Sequence, residues 1–372
     1  MKSRAAVLLD GPGKWDVIEV EVDEPKEFEV LVRFTHAGLC HSDDHYAQGD
    51  VPAMAYPFAG GHEGAGIVEK VGPGVRDLKV GDHVVAAFIP GCGRCTWCAR
   101  GMQNLCDNGA YMMLGTQLDG TFRLHTDDGK DVGQCSLVST FSEYSILPEW
   151  GALKIDDDIP LEIAALVGCG VPTGWGSSVN AAQVRPGDVV VIMGIGGIGI
   201  NAVQGAKFAG ASHILAVDPV EFHREKALEL GATEAFVNIA QATDRAQQLT
   251  NGQGAASAIV TVGVANGEHV AEAFGAIRKA GTVVLTSMCN VTEYGIPVSL
   301  FELAMYQKRI QGSLFGMMQP TRAVPDILEL WREGNIKLEE LITRRYALEE
   351  INQGYEDMHA GINLRGVIDY SA

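Results

Sequence analysis

The sequence lacks any apolar stretch long enough to cross a bilayer, since no uninterrupted run approaches the ~18 residues that a membrane helix needs. It is also short of basic residues: 28 Lys and Arg stand against 47 Asp and Glu, a formal charge of −19. A surface of that sign repels phosphate backbones and anionic lipid, so nucleic-acid and membrane partners are not expected. The opening stretch MKSRAAVLLDGPGKW holds a five-residue apolar run before Asp10, too short for the core of a secretory leader. A cytoplasmic chain is expected. Internal repeats and low-complexity tracts are missing as well. What remains is ordinary globular composition, 47% hydrophobic and 20% charged over 372 residues, which suits two domains and a sizeable core.

Two kinds of patterning divide the chain. Up to about residue 160 it alternates in the β manner, as in Glu29-Val30-Leu31-Val32-Arg33-Phe34, with strand-like runs at Gly66–Glu69 and His83–Phe88 between Gly- and Pro-rich turns. Beyond that, helical Leu161–Val167 is followed by the apolar run Val189–Met193, a helix from about Ile198 to Ala209, the strand His213–Val217 and the helix Glu221–Leu230. The alternation continues through Ala258–Val262, His269–Arg278 and Thr282–Met288. Strands alternating with helices predict a parallel sheet covered on both faces. The tail reads as helices Val324–Glu333 and Leu348–His359 and a last strand, Arg365–Tyr370.

Between the strand Val189–Met193 and its following helix stands Gly194-Ile195-Gly196-Gly197-Ile198-Gly199. A GxGxxG alone is compatible with a tight strand–helix turn and nothing more. Here the second strand ends at Val217 and is followed by Asp218, nineteen residues after Gly199, which completes a dinucleotide-binding unit. Gly194 permits the turn, Gly196 lets the pyrophosphate approach the backbone at the helix N-terminus, and Gly199 permits close helix–sheet packing. Asp218 can accept from the ribose hydroxyls and would repel a 2′-phosphate, favouring NAD over NADP. His223 and Arg224 nearby soften that preference.

Eight cysteines stand at 40, 92, 95, 98, 106, 135, 169 and 289. Cys92-x₂-Cys95-x₂-Cys98-x₇-Cys106 places four thiols in one Gly- and Pro-rich loop. Four thiolates fill a tetrahedral zinc and leave no open position, so a structural zinc is expected. A disulfide pair or an iron–sulfur cluster are the other readings of the same spacing. Cys40-His41-Ser42-Asp43-Asp44-His45, Gly61-His62-Glu63-Gly64 and Gly168-Cys169-Gly170 complete the candidate chemistry. Singly, a cysteine is most often a small buried hydrophobe.

Taken together, these residues carry a resemblance. The sequence resembles the zinc-containing medium-chain dehydrogenase/reductase superfamily, across nearly its whole length the long, liver-type alcohol dehydrogenases, and within them the nitrosoaniline-dependent alcohol dehydrogenases. The stretches that carry it are Gly60–Gly64, Gln103–Asp107, Val167–Gly176, Val217–Val220 and Asn363–Ile368. The resemblance implies an α/β protein. Its mostly-β GroES-like catalytic domain would cover residues 1–170, completed by 315–372, and its NAD-binding Rossmann domain 171–314.

It further implies that Cys40, His62 and Cys169 ligate a catalytic zinc, with Glu63 behind it able to enter the coordination shell. Asp43 receives the second N–H of His62. Ser42 bonds the substrate hydroxyl and His45 ends the proton path to solvent. His41 and Arg365 meet the cofactor phosphates, with Gly197, Ile198 and His223 also at the cofactor. Thr173 lies near the nicotinamide, and Phe88 and Met288 line the substrate pocket. Cys135 falls near the substrate channel by family position, though a plain packing thiol is the simpler reading, and Cys289 is a core or loop thiol. Two zincs per chain, NAD(H) held tightly, a small alcohol or aldehyde as substrate, a mycofactocin-like electron acceptor and a homodimer or homotetramer follow from the same resemblance. An ordinary NAD-exchanging enzyme and a thiol-dependent formaldehyde dehydrogenase are the alternatives.

Overall fold

The computed structural model describes all 372 residues. The chain divides into two compact units, the first formed by Met1–Cys169, Gln319–Gly334 and Leu338–Ala372, the second by Gly170–Met318 and Asn335–Lys337.

The first unit joins a closed five-stranded barrel to a seven-stranded sheet. The strand Glu29–Gly38 is central to the sheet, pairing antiparallel with Gly64–Val71, Tyr144–Pro148 and Arg365–Asp369. Its alternation serves two cores, because successive side chains leave a strand on opposite faces. Val30, Val32 and Phe34 pack with Val68, Val84 and Leu147, whereas Leu31 packs with Val20, Leu124 and Ile146. The barrel is made of Lys2–Leu8, Asp16–Val22, Leu124–Thr126, Asp131–Gln134 and Phe58–Ala59.

A buried charge cluster ties barrel to sheet. Arg123, just ahead of the strand Leu124–Thr126, is fully buried. Its guanidinium donates through Nε and Nη2 to the two carboxylate oxygens of Glu29, at 2.9 and 2.6 Å, and through Nη2 to Asp119 at 2.9 Å. The fork geometry satisfies a charge that burial would otherwise penalise heavily.

The second unit is a six-stranded sheet whose strands all pair in parallel. Numbered within the unit, from Val189–Met193 as the first to Arg309–Gly312 as the sixth, they lie in the order 3-2-1-4-5-6. That is the doubly wound dinucleotide-binding order, with its reversal beside Val189–Met193. Parallel strands are apolar on both faces, and Val189–Met193 is buried throughout.

Several boundaries differ from the sequence reading. Leu348–His359 splits into a 3₁₀ turn, Leu348–Glu350, and an α-helix, Ile351–His359. Thr282 lies inside a strand, Ile277–Leu285, that begins well before it. The helix expected at His269–Arg278 runs over Gly267–Ala276, set by an Asn266 cap that accepts from His269 N–H. The helix Ile239–Leu249 was not anticipated, although Asn238 caps it and Ile239, Ala242 and Ala246 face the core. The turn Phe315–Met317 packs within the second unit, where Asn180 donates to Gly316 C=O.

Removing the Arg123 guanidinium leaves the buried Glu29 carboxylate without its cation. Arg123→Ala is therefore expected to lower the stability of the protein by about 3–5 kcal/mol, read as a fall in the urea midpoint. Exposed Arg76→Ala serves as the neutral control.

Candidate active site

The dense polar run after Glu29–Gly38 is a helix, His41–Gln48, whose Asp43, Asp44, His45 and Tyr46 are buried. Cys40 is its N-cap residue. His62 and Glu63 lie on the short segment leading into the strand Gly64–Val71. Cys169 follows the helix Leu161–Leu166. From these three places Cys40, His62 and Cys169 bring one ligand atom each to within 4.8 Å of one another, and all three side chains are buried.

Two features make this trio fit a metal rather than a packed core. His62 Nε2 is buried without a hydrogen-bond partner, while its Nδ1 lies 2.9 Å from Asp43 Oδ2. The ring is thus aimed with one nitrogen at a carboxylate and the other at the two thiols, the arrangement that fixes a metal-binding tautomer. The thiols also share their ionisation. Cys40 is held well below the ordinary thiol range, first by its hydrogen bond with Cys169, and Cys169 is pushed well above it by the same contact and by burial. Burial opposes charge on His62, but Asp43 and Cys40 outweigh it and push the imidazole well up. Two thiols and an imidazole are the donor set of a catalytic zinc with one position left open.

Asp43 has no exposed surface. Its Oδ1 accepts from Gly61 N–H at 3.0 Å and from the Cys135 thiol at 3.7 Å. Burial nevertheless pushes its carboxyl above the usual carboxylate range. Cys135 is therefore a buried partner of the carboxylate beneath His62, and sequence reading left that role unassigned. Phe88 stands edge-on to the His62 ring, centroids 5.4 Å apart.

Glu63, fully buried, pairs with the Arg365 guanidinium. The sequence reading placed Arg365 at the cofactor phosphates; in the structure its charge faces Glu63, with Cys40 and Cys169 close enough to influence it. Its Nε is buried with no hydrogen-bond partner. Ser42 Oγ lies 3.7 Å from Cys40 Sγ. His45, three residues on along the same helix face, is 2% exposed. Its Nδ1 is 2.9 Å from Asp50 Oδ2 and its Nε2 is buried without a hydrogen-bond partner. Asp50, whose side chain is 22% exposed, is a second residue that sequence reading missed. His41 lies beside His359, their rings 6.2 Å apart.

In the second unit the glycine turn has the anticipated logic. Gly194 sits at φ +94°, and a Cβ there would meet the Thr261 backbone at 2.8 Å. A Cβ on Gly199 would meet Gly194 O at 1.8 Å, whereas Gly196 faces open space. The helix Gly199–Phe208 starts from Ile198, and Gly197 C=O accepts from Asn201 Nδ2 at 2.8 Å. Asp218 Oδ2 accepts from Ile195 N–H at 2.7 Å and Oδ1 from Val220 N–H at 2.9 Å, with His223 Nδ1 at 3.2 Å. Burial works against its charge, but His223 and the two amides hold the carboxyl below its ordinary value. Thr173 is buried on the helix Gly170–Gly176, its C=O accepting from Ser177 Oγ at 2.7 Å. Met288 C=O accepts from Ala265 N–H at 2.9 Å.

Cys92, Cys95, Cys98 and Cys106 are free thiols whose sulfurs lie within 4.8 Å of one another. The pairs Cys92–Cys98 and Cys95–Cys106 are 4.0 and 3.9 Å apart. Zinc–sulfur bonds of about 2.3 Å in a tetrahedron separate sulfurs by about 3.8 Å, so this cage fits zinc. Backbone N–H groups of Cys92, Cys95 and Cys98 already point at sulfurs.

The family model for the alcohol dehydrogenase GroES-like domain matches residues 26–157 and that for zinc-binding dehydrogenase residues 197–332. A nitrosoaniline (NDMA)-dependent alcohol dehydrogenase of Amycolatopsis methanolica is 49% identical over 372 residues, covering all of both chains. The chain belongs to the zinc-dependent medium-chain alcohol dehydrogenases. A similar relative is the S-(hydroxymethyl)glutathione dehydrogenase of Saccharomyces cerevisiae, 35% identical over 99% of this chain and 96% of its own. Among solved structures, an alcohol dehydrogenase zinc-binding domain protein from Burkholderia ambifaria matches with a TM-score of 0.92 at 31% identity, covering 99% of both chains. Benzyl alcohol dehydrogenase from Acinetobacter calcoaceticus matches with 0.91 at 29%, also over 99% of both. As a zinc alcohol dehydrogenase, the protein takes zinc and NAD(H) as its cofactors and a small molecule as its substrate. No helix is long and apolar enough to cross a membrane.

Cys106→Ser removes one ligand of the four-thiol cage and leaves the Cys40–His62–Cys169 set intact. Elemental analysis is expected to fall from about two zincs per chain to about one, with a lowered melting temperature because the loop has little core of its own.

Proposed function

We propose that the protein oxidises small alcohols to aldehydes or ketones with NAD that stays bound between turnovers and is re-oxidised in place by an external acceptor. An artificial nitrosoaniline would serve in vitro and a mycofactocin-like redox cofactor in the cell. The observation that carries the chemistry is the convergence of Cys40, Cys169 and the partnerless His62 Nε2. The full-length identity to the NDMA-dependent enzyme supports the finer reading.

In this reading Cys40, His62 and Cys169 hold the zinc, and Cys92, Cys95, Cys98 and Cys106 hold the second. Zinc supplies the Lewis acidity that makes an alcohol hydroxyl acidic near neutral pH, and NAD supplies the hydride acceptor. Ser42 would accept the hydroxyl proton as it gives up its own toward His45 Nε2, and the His45 ring would in turn give up its Nδ1 proton to Asp50, which releases it to solvent. Asp43 keeps the His62 ring in the metal-binding tautomer. Glu63, paired with Arg365, waits behind the metal and can approach it. Gly194, Gly196, Gly197, Ile198 and Gly199 hold the pyrophosphate, Asp218 and His223 the adenosine ribose, and Thr173 the nicotinamide. His41 and the spare Nε–H of Arg365 serve the phosphates. Phe88 and Met288 shape the substrate pocket.

A homodimer completes the proposal. The strand Arg309–Gly312 is a sheet edge, and the nearby chain exposes Leu300, Phe301, Met305 and Leu314. Such an edge flanked by apolar side chains suits a second copy. The protein is placed in the cytoplasm.

Two measurements test these assignments. Purified enzyme is expected to carry nicotinamide at about one per chain and to oxidise alcohol with the nitrosoaniline but slowly with free NAD. Fast turnover with free NAD and no retained cofactor would mean an ordinary exchanging enzyme, and activity restricted to a thiol–formaldehyde adduct would mean the relative in yeast is the better guide. His45→Ala is expected to slow alcohol oxidation at neutral pH about a hundredfold, with partial rescue by added imidazole and unchanged zinc content.

A further inference from the structure

Outside the two zinc sets, one more group of ligating side chains converges in the first unit. His41, Asp44 and His359 bring one ligand atom each to within 4.8 Å of one another. His41 opens the helix His41–Gln48 and Asp44 lies one turn along it. His359 ends the helix Ile351–His359, from the far end of the sequence. His359 Nε2 is 2.6 Å from Asp44 Oδ2. The other oxygen of Asp44 accepts from Gln48 Nε2 at 3.3 Å, so the carboxylate is held on one side and presented on the other.

We propose that His41, Asp44 and His359 form a third divalent-metal site, selective for zinc-like ions, and that metal and cofactor compete for His41. Two imidazoles and a carboxylate suit zinc and leave one position for water. Bonds of about 2.1 Å place tetrahedral donors about 3.4 Å apart. The His359–Asp44 pair, at 2.6 Å, needs to open by less than an ångström to reach that spacing, and the His41 ligand atom already lies within 4.8 Å of both. Asp44 is buried, whereas the His359 side chain is 43% exposed, which gives an ion from solvent a route in. The carboxylate orientation by Gln48 is the support that metal ligands ordinarily require. The competition rests on the reading of His41 as a cofactor-phosphate contact, because an imidazole bound to metal is turned away from that task.

Equilibrium dialysis of the full-length protein against micromolar zinc chloride, followed by elemental analysis, tests this. Before dialysis, about two zincs per chain test the active-site assignment separately. After dialysis, protein stripped of nicotinamide is expected to hold about three zincs per chain and cofactor-loaded protein about two. Stripped His359→Ala is expected to stay at about two zincs, while cofactor-loaded His359→Ala oxidises alcohol as the wild type does, and Asp44→Asn checks the carboxylate independently. A stripped wild type that stays at two, or a His359→Ala variant that still takes three, overturns the site. Equal uptake of a third zinc by loaded and stripped wild type overturns the competition.

Discussion

The cluster of Cys40, His62 and Cys169 depends on one carboxylate that water does not reach. Burying an aspartate costs several kcal/mol unless its oxygens are satisfied. Asp43 meets that condition with the Gly61 amide, the Cys135 thiol and the His62 ring. Gly61 and His62 come from one stretch of chain and Cys135 from another, so the residue acts as a junction between the helix His41–Gln48, the segment ahead of Gly64–Val71 and the turn at Cys135–Leu137. It also determines which nitrogen of His62 is turned toward Cys40 and Cys169. The convergence of Cys40, His62 and Cys169 thus rests on a hydrogen-bond requirement at Asp43 as well.

Much of this was legible in the residues, for physical reasons that differ by site. The turn Gly194–Gly199 announces itself because three separate steric demands fall on three glycines between an apolar strand and a helix. The four-thiol loop is legible because its ligands are local, with spacing that already closes a cage. The proposed catalytic-zinc set is different: Cys40, His62 and Cys169 lie far apart in sequence, and the family resemblance connects them rather than any pattern of their own.

What stayed hidden was long-range pairing between polar side chains. The polarity of His41–Gln48 disguised a helix whose charged residues are buried by the site they serve. Nothing local marks Arg365 as the partner of Glu63 or His359 as the partner of Asp44, because neither pair has a spacing. Arg123 is the strongest case. Nothing in its neighbours Phe122 and Leu124 marks its partner, yet it is among the largest fully buried side chains of the protein. Asp50 escaped notice for a related reason, since its significance lies in the imidazole it orients. The helix Ile239–Leu249, by contrast, is readable from its Asn238 cap and the i, i+3, i+7 spacing of its core face.

Asp218 has an implication for redesign. Its two oxygens anchor the amides of Ile195 and Val220, so the residue proposed to repel a 2′-phosphate is also a structural pin of the glycine turn. An engineer who replaces it with a small neutral side chain to admit NADP removes the repulsion and unpins the loop in the same stroke. A change of coenzyme in this scaffold therefore calls for a paired edit, one that restores an acceptor for those amides while giving the phosphate its cation.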